Sequence, residues 1–209
     1  MSQAELVMGG GHGAVAEESP YGIQSKKLAM WLFIMADAAT FGAVLFAYGY
    51  ERLASPNWTR PFDFFPSIVN GLLMTVILLT SSLTMLGAVR RAAEGKMAAC
   101  QKWLGITMVL GIAFAALHLR EWFKMFGEGW SPSRNPTGGS ALFGATFFSI
   151  TGLHLFHVVS GVVALAVVGL LFRRGRLNAG HVETVGLYWH FVDLVWMFVF
   201  PLVYLMNAR

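Results

Sequence analysis

The sequence predicts an all-α membrane protein, a bundle of five transmembrane helices. Three observations carry this. Charge is scarce: 56% of the 209 residues are hydrophobic and only 12% are charged, about half the charged share of a soluble domain. The apolar residues also come in long blocks. Residues 67–89 carry no charge over 23 positions, and residues 138–172 carry none over 35; an uncharged run of about 18 or more reads as a membrane helix. Strand alternation is absent, which argues against a β-barrel.

The chain opens on "MSQAELVMGGGHGAVAEESPYG". This stretch is Gly-rich and aperiodic, so residues 1–26 are expected to form a flexible tail. The first span lies near residues 28–50 and carries one internal charge, Asp37. It follows a polar tail and lacks a small-residue cleavage site, so it is not a signal peptide. The second span lies near 67–89 and the third near 103–125, with charges only in its last third. The fourth, near 142–172, is longer than a bilayer needs and should tilt or project. The fifth, near 184–206, is interrupted only by Asp193. Pro201 lacks the N–H that would bond the Met197 carbonyl, so the fifth helix should loosen there. Residues 27–209 therefore read as one domain. No internal repeat is evident, and neither half shows the Gly/Pro-broken helices of many transporters.

Two loops have character. "ERLASPNWTRPFDFFPS" combines three prolines with aromatics and reads as an ordered interfacial loop. "GEGWSPSRNPTGGS" is a turn cluster. On the fourth span Ala141, Ala145, Ser149, Gly152 and Ser160 form a row of small residues broken by Phe156. Such rows let helices approach closely in lipid. His154 and His157 fall on a different side of that helix.

The net charge of +4 raises the question of nucleic acid, and its placement answers it. Lys26, Lys27, Arg90, Arg91, Lys96, Lys102, Arg173, Arg174 and Arg176 all fall on one side of the predicted membrane. Arg52, Arg60, Arg120, Lys124, Arg134 and Arg209 are left for the other. The positive-inside rule then places the N-terminus in the cytoplasm and the C-terminus outside. Such basic patches serve topology and lipid headgroups, and no nucleic-acid motif accompanies them. The single cysteine, Cys100, read as part of a cytoplasmic loop, forms no internal disulfide or thiolate cluster.

Polar groups inside the spans need an account, because an unpaired charge at mid-membrane is costly. Asp37 has two readings: a proton-handling carboxylate at a lipid or water cleft, or a neutral acid bonded to a neighbouring helix. In "LHLREWF", His118 and Glu121 are one turn apart, with Arg120 beside Glu121. These read as a structural polar cluster near a helix end, where charges can snorkel. His154 and His157 are i and i+3, and His190 and Asp193 repeat that spacing on the fifth span. Imidazole and carboxylate can ligate first-row metals, but no soft ligand or Glu-x-x-His pattern supports a site. A hydrogen-bonded network between the fourth and fifth spans, with Asp193 bonded to a histidine or backbone group, is the better reading. No catalytic or metal-ligating set is assigned.

"YWHFVDLVWMFVF", residues 188–200, closely resembles the last-helix signature of subunit III of haem-copper respiratory oxidases, the cytochrome c oxidase group. "FGATFFSITGLHLFHVVSG" resembles the penultimate-helix motif, with its aromatic pair and Gly-x-His-x-x-His. "LFIMADAATF" and Glu121-Trp122 resemble further parts, although His118 stands where many members have glutamine. The resemblance covers residues 27–209, and five spans fit the short bacterial form of the family.

The resemblance implies a non-catalytic subunit of the bacterial inner membrane. It would bind no cofactor itself, with haem and copper in partner subunits. It would pack beside the catalytic subunit I and subunit II, hold phospholipid in a cleft, and support proton uptake and sustained turnover in aerobic respiration. By motif position Asp37 is the cleft carboxylate, and Lys27 and Arg173 are the basic positions that hold lipid phosphate. Glu183, His154, His157, His190 and Asp193 match polar positions of the last two helices. Cytochrome c is the favoured electron donor. A quinol oxidase subunit III, a nitric oxide reductase accessory protein of the same family, and an independent proton or metal transporter are the alternatives.

Overall fold

The computed structural model describes residues 25–138 and 141–208. The tail expected over residues 1–26 lies outside them up to residue 24. Five long helices follow in order: α1 Ser25–Ala54, α2 Val69–Ala93, α3 Met97–Gly127, α4 Leu142–Arg173 and α5 Ala179–Val199. A wide turn, Phe64–Ile68, leads into α2. Among the described residues there is no β-strand. With their lead-in and trailing turns the five helical stretches run between 29 and 32 residues, long and apolar enough to cross a membrane.

The helices outrun the apolar blocks by one or two turns at several ends. An apolar block marks the hydrocarbon crossing, about 30 Å, whereas a 30-residue helix is about 45 Å long. The surplus carries the charged ends into the headgroup zone. The fourth span is therefore not exceptional, at 32 residues against 29–31 for the others. Only residues 94–96 separate α2 from α3, and Cys100 is a buried residue of α3 rather than part of a loop. Gly95 and Gly175 stop α2 and α4 with φ of 71° and 67°. In each case the following N–H reaches back five residues, Lys96 to Arg91 O (2.9 Å) and Arg176 to Leu171 O (3.0 Å). This closure needs a left-handed residue, which glycine adopts without strain.

α5 ends at Val199, two residues before Pro201, and continues as a wide turn, Phe200–Tyr204, then a tight one, Leu205–Asn207. The missing proline N–H accounts for the change of winding. The turn lets the chain end fold onto the loop between α1 and α2. Phe62 of that loop is buried and stacks on Tyr204 at 4.9 Å, and Trp58 Nε1 donates to Asn207 Oδ1 (2.9 Å).

α2, α3, α4 and α5 pack as a closed ring, each touching the next, and α1 leans on α5 and α4 from outside. Trp189 and Trp196 of α5 fill the middle of the ring and are fully buried. Trp189 lies so close to α3 and α4 that a Cβ on Gly111 would meet its ring at 2.5 Å, and one on Gly161 at 3.0 Å. The small-residue row expected to pack on α4 is split: Ala141 and Ser149 are exposed, whereas Gly152 packs on Trp122 and Ser160 bonds Tyr188. The packed face is Gly144, Thr151, Val158, Gly161, Leu165 and Gly169, and His154 and His157 sit on it. The large partner ring, not smallness alone, decides which row is the contact.

Candidate functional site

The polar groups of the spans resolve into four places. The first joins α1 to α4. His157 Nδ1 lies 2.7 Å from Leu153 O, four residues back on its own helix. A carbonyl only accepts, so Nδ1 donates. His157 Nε2 lies 3.1 Å from Asp37 Oδ2. One proton must lie between these two atoms: on the carboxyl, beside a neutral imidazole, or on the ring, beside a carboxylate. The Asp37 side chain is 18% exposed and that of His157 9%. Phe41, one turn after Asp37, covers the His157 ring at 5.1 Å. Tyr188 and Ser160 lie alongside, their hydroxyls 2.8 Å apart. The expectation for His157 changes accordingly: its partner is Asp37 of α1, not a residue of α5.

The second place is the end where α1 and α5 both begin. Lys27 Nζ donates to Glu183 Oε1 (2.6 Å), and both side chains are half exposed. Lys26 Nζ lies 3.0 Å from His181 Nε2. Arg173, at the end of α4, is exposed. Lys27 therefore arrives with a protein partner already in place, and Arg173 is open.

The third place is α2 against α5. His190 Nδ1 lies 2.6 Å from Ser82 Oγ. Asp193 is buried beside the same serine, yet neither of its carboxyl oxygens accepts a well-formed hydrogen bond. The histidine or backbone partner expected for Asp193 is thus not there. Its carboxyl lies beside Ser82 of α2.

The fourth place is the ring interior. His118 and His154 are fully buried, and none of their ring nitrogens has a hydrogen-bond partner. Glu121 is buried and accepts from Asn70 Nδ2 through Oε2 (3.1 Å). Arg120, beside it in sequence, is exposed. Sequence reasoning missed Asn70, Ser82 and Tyr204. Asn70 was findable, as the one amide in an otherwise uncharged span. Ser82 and Tyr204 gave no such signal.

Among the described residues no three His, Cys, Asp or Glu side chains gather as a metal site. What the arrangement can do chemically is hold a proton between α1 and α4, fasten helices to one another, and offer cations at one membrane face.

Fold and sites together define a multi-pass membrane scaffold whose polar groups mostly bond helix to helix. A family model described as cytochrome c oxidase subunit III matches residues 10–208, and the chain belongs to that family, as a subunit III of a multi-subunit haem-copper oxidase in the bacterial inner membrane. It is 33% identical over 184 residues to the cytochrome bo(3) ubiquinol oxidase subunit 3 of Pseudomonas aeruginosa, covering 85% of this chain and 83% of that one. It is 32% identical over 190 residues to the cytochrome c oxidase subunit 3 of Bacillus subtilis, covering 88% and 87%. A probable quinol oxidase subunit 3 of Staphylococcus aureus is 34% identical over 187 residues, covering 87% and 89%.

Proposed function

We propose that this subunit III packs beside the catalytic subunit I and subunit II, carries no haem or copper of its own, and sustains proton uptake and turnover of the oxidase. The observation that carries this reading is the Asp37–His157 pair. It holds one proton between α4 and α1, the helix least covered by the rest of the chain. A partly buried carboxyl with an imidazole partner can give or take that proton with little movement, since both protonation arrangements keep the hydrogen bond.

The same reading places the N-terminus in the cytoplasm, because the end that gathers Lys26, Lys27, Arg90, Arg91, Lys96 and Arg173 carries the excess of positive charge. A phosphate of that leaflet would be held chiefly by Arg173, whose guanidinium forks onto phosphate oxygens. Lys27 keeps two N–H donors beyond its bond to Glu183 and adds a point charge. For the electron donor we adopt cytochrome c. The relatives carry both cytochrome c and quinol names, so the quinol oxidase is the alternative that the assay must separate.

Purification in mild detergent should bring down a haem-bearing partner in near-stoichiometric yield, and the complex should oxidise reduced cytochrome c. Oxidation of quinol alone would move it to the other branch. Asp37→Asn should leave assembly intact and shorten the time over which turnover is sustained. Failure to assemble would make Asp37 a structural acid, and a purified chain that transports ions alone in liposomes would sink the whole reading.

A further inference from the structure

Among the described residues, buried side-chain nitrogens and oxygens without a hydrogen-bond partner belong to His118, Glu121, His154, Tyr204 and Asp193. Asp193 lies apart, beside Ser82. Of the other four, three gather around Trp196. His154 packs on its ring at 5.1 Å, His118 at 5.8 Å and Tyr204 at 5.9 Å. The Glu121 carboxyl lies within electrostatic reach of the Tyr204 hydroxyl, and His118 within that of His154. His118, His154 and Tyr204 are fully buried, and Glu121 is 5% exposed.

The deficit is local. Other polar groups around it are paired: Trp196 Nε1 donates to Thr75 Oγ1 (3.0 Å), Trp122 Nε1 to Thr151 Oγ1 (3.2 Å), and Asn70 to the other oxygen of Glu121. A neutral histidine offers one N–H and one lone pair, and a tyrosine hydroxyl donates and accepts. With Glu121 Oε1, that leaves three donors and about four acceptors unfilled in one place. Buried polar groups are nearly always bonded, to protein or to ordered water, and within a membrane bulk water is not at hand.

The set itself selects the ligand. A cation would find a single free carboxyl oxygen and, among the described residues, no ligand cluster. An anion would face the Glu121 carboxylate. Water both donates and accepts, and suits a mixed set. We infer that a buried cluster of water molecules binds between α3, α4 and the turn Phe200–Tyr204, held by His118, His154, Glu121 Oε1 and the Tyr204 hydroxyl. At about three bonds per buried water, the unfilled positions call for about two or three molecules. Subunit III then contains a hydrated core of its own, one helical turn along α4 from the Asp37–His157 pair. Phe41 packs on both histidine rings, His154 at 6.5 Å and His157 at 5.1 Å, and marks where the two polar places meet.

The test is electron cryomicroscopy of the assembled oxidase at a resolution that shows ordered water. Density is expected within hydrogen-bond distance of the four side chains. A dry, closely packed interior would overturn the inference. So would side chains rotated to bond one another directly, His118 to Glu121 or His154 to Tyr204. Thermal denaturation of the same complex gives a second readout. Tyr204→Phe removes only the hydroxyl, and a hydrated hydroxyl predicts a midpoint lower by about 2–4 °C. An unchanged or raised midpoint means the hydroxyl had no partner to lose, and the inference fails.

Discussion

α1 and α5 are both membrane helices, but they are held in different ways. α5 buries eleven of its 21 residues, among them both central tryptophans. α1 buries three of its 30: Ile34, Phe41 and Tyr48, spaced seven apart on one narrow seam. What fixes α1 is polar. Lys27 holds Glu183, Asp37 holds His157, Tyr48 donates to Leu202 O (2.9 Å), and Arg52 Nη2 donates to Met206 O (2.6 Å). In lipid, apolar burial alone does little to join helices, because the lipid tails are as apolar as the side chains they replace. A helix is then secured by tight packing or by hydrogen bonds. The ring uses the first, and α1 relies on clasps at its start, middle and end. The outer face of α1, with Leu32, Phe33, Met35, Phe46 and Leu53 exposed, is free to meet lipid or a neighbouring subunit.

If the clasps prove as costly to lose as the packing, α1 and α5 are held alike. Trp189→Ala should have the largest effect. Trp189 is wedged against Gly111 and Gly161 and donates to Ser81 Oγ at 3.0 Å. Truncating a buried tryptophan costs about 3–5 kcal/mol, enough to deplete the assembled complex from membranes. Gly111→Leu attacks the same seat from the other side. Asp37→Asn comes next. The amide can still bond His157, so the loss should be about 1 kcal/mol or less, read as thermal stability of the purified complex. A loss matching that of Trp189→Ala would show that the middle clasp carries α1 as packing carries α5. Glu183→Gln should do less again. Its pair with Lys27 is half exposed, such pairs contribute about 0–1 kcal/mol, and the difference should vanish in high salt.

This contrast also explains what could be read from the sequence. The five spans were legible because crossing length and lack of charge are local properties of the chain. So were the loosening at Pro201 and the oxidase signature of residues 188–200. Azimuth was not legible. Spacing says that His190 and Asp193 share a face; it does not say which helix that face meets. Placing α5 against both α2 and α4 sent Asp193 to Ser82, while α1 took His157 for Asp37. The small-residue row of α4 was split for the same reason: Gly152 and Ser160 meet other helices, and Ala141 and Ser149 do not. Ser149 is small too, but it is exposed, whereas Gly161 lacks even a Cβ and has Trp189 opposite it. Which row packs is decided by a residue on another helix, about thirty positions away.

The smallest effect is expected in the connection between α2 and α3, where the residues are exposed. Glu94 caps the end of α2 and lies 2.9 Å from Lys96, 2.8 Å from Arg91 and 3.5 Å from Arg90. The Lys96 ammonium first, and the Arg91 guanidinium next, hold its carboxyl below the usual glutamate range. A carboxyl whose folded value lies below its unfolded one stabilises the fold above the unfolded value. That contribution fades as pH falls through the folded value. Hydrogen exchange of the amides at residues 95–97 should therefore be slower in the native chain than in Glu94→Gln near neutral pH. The gap should close on acidification and narrow with added salt. A gap that widens as pH falls would mean that Glu94 is stabilised in its neutral form. In that case the turn is held by its glycine closure alone, and the three cations around Glu94 contribute nothing to it.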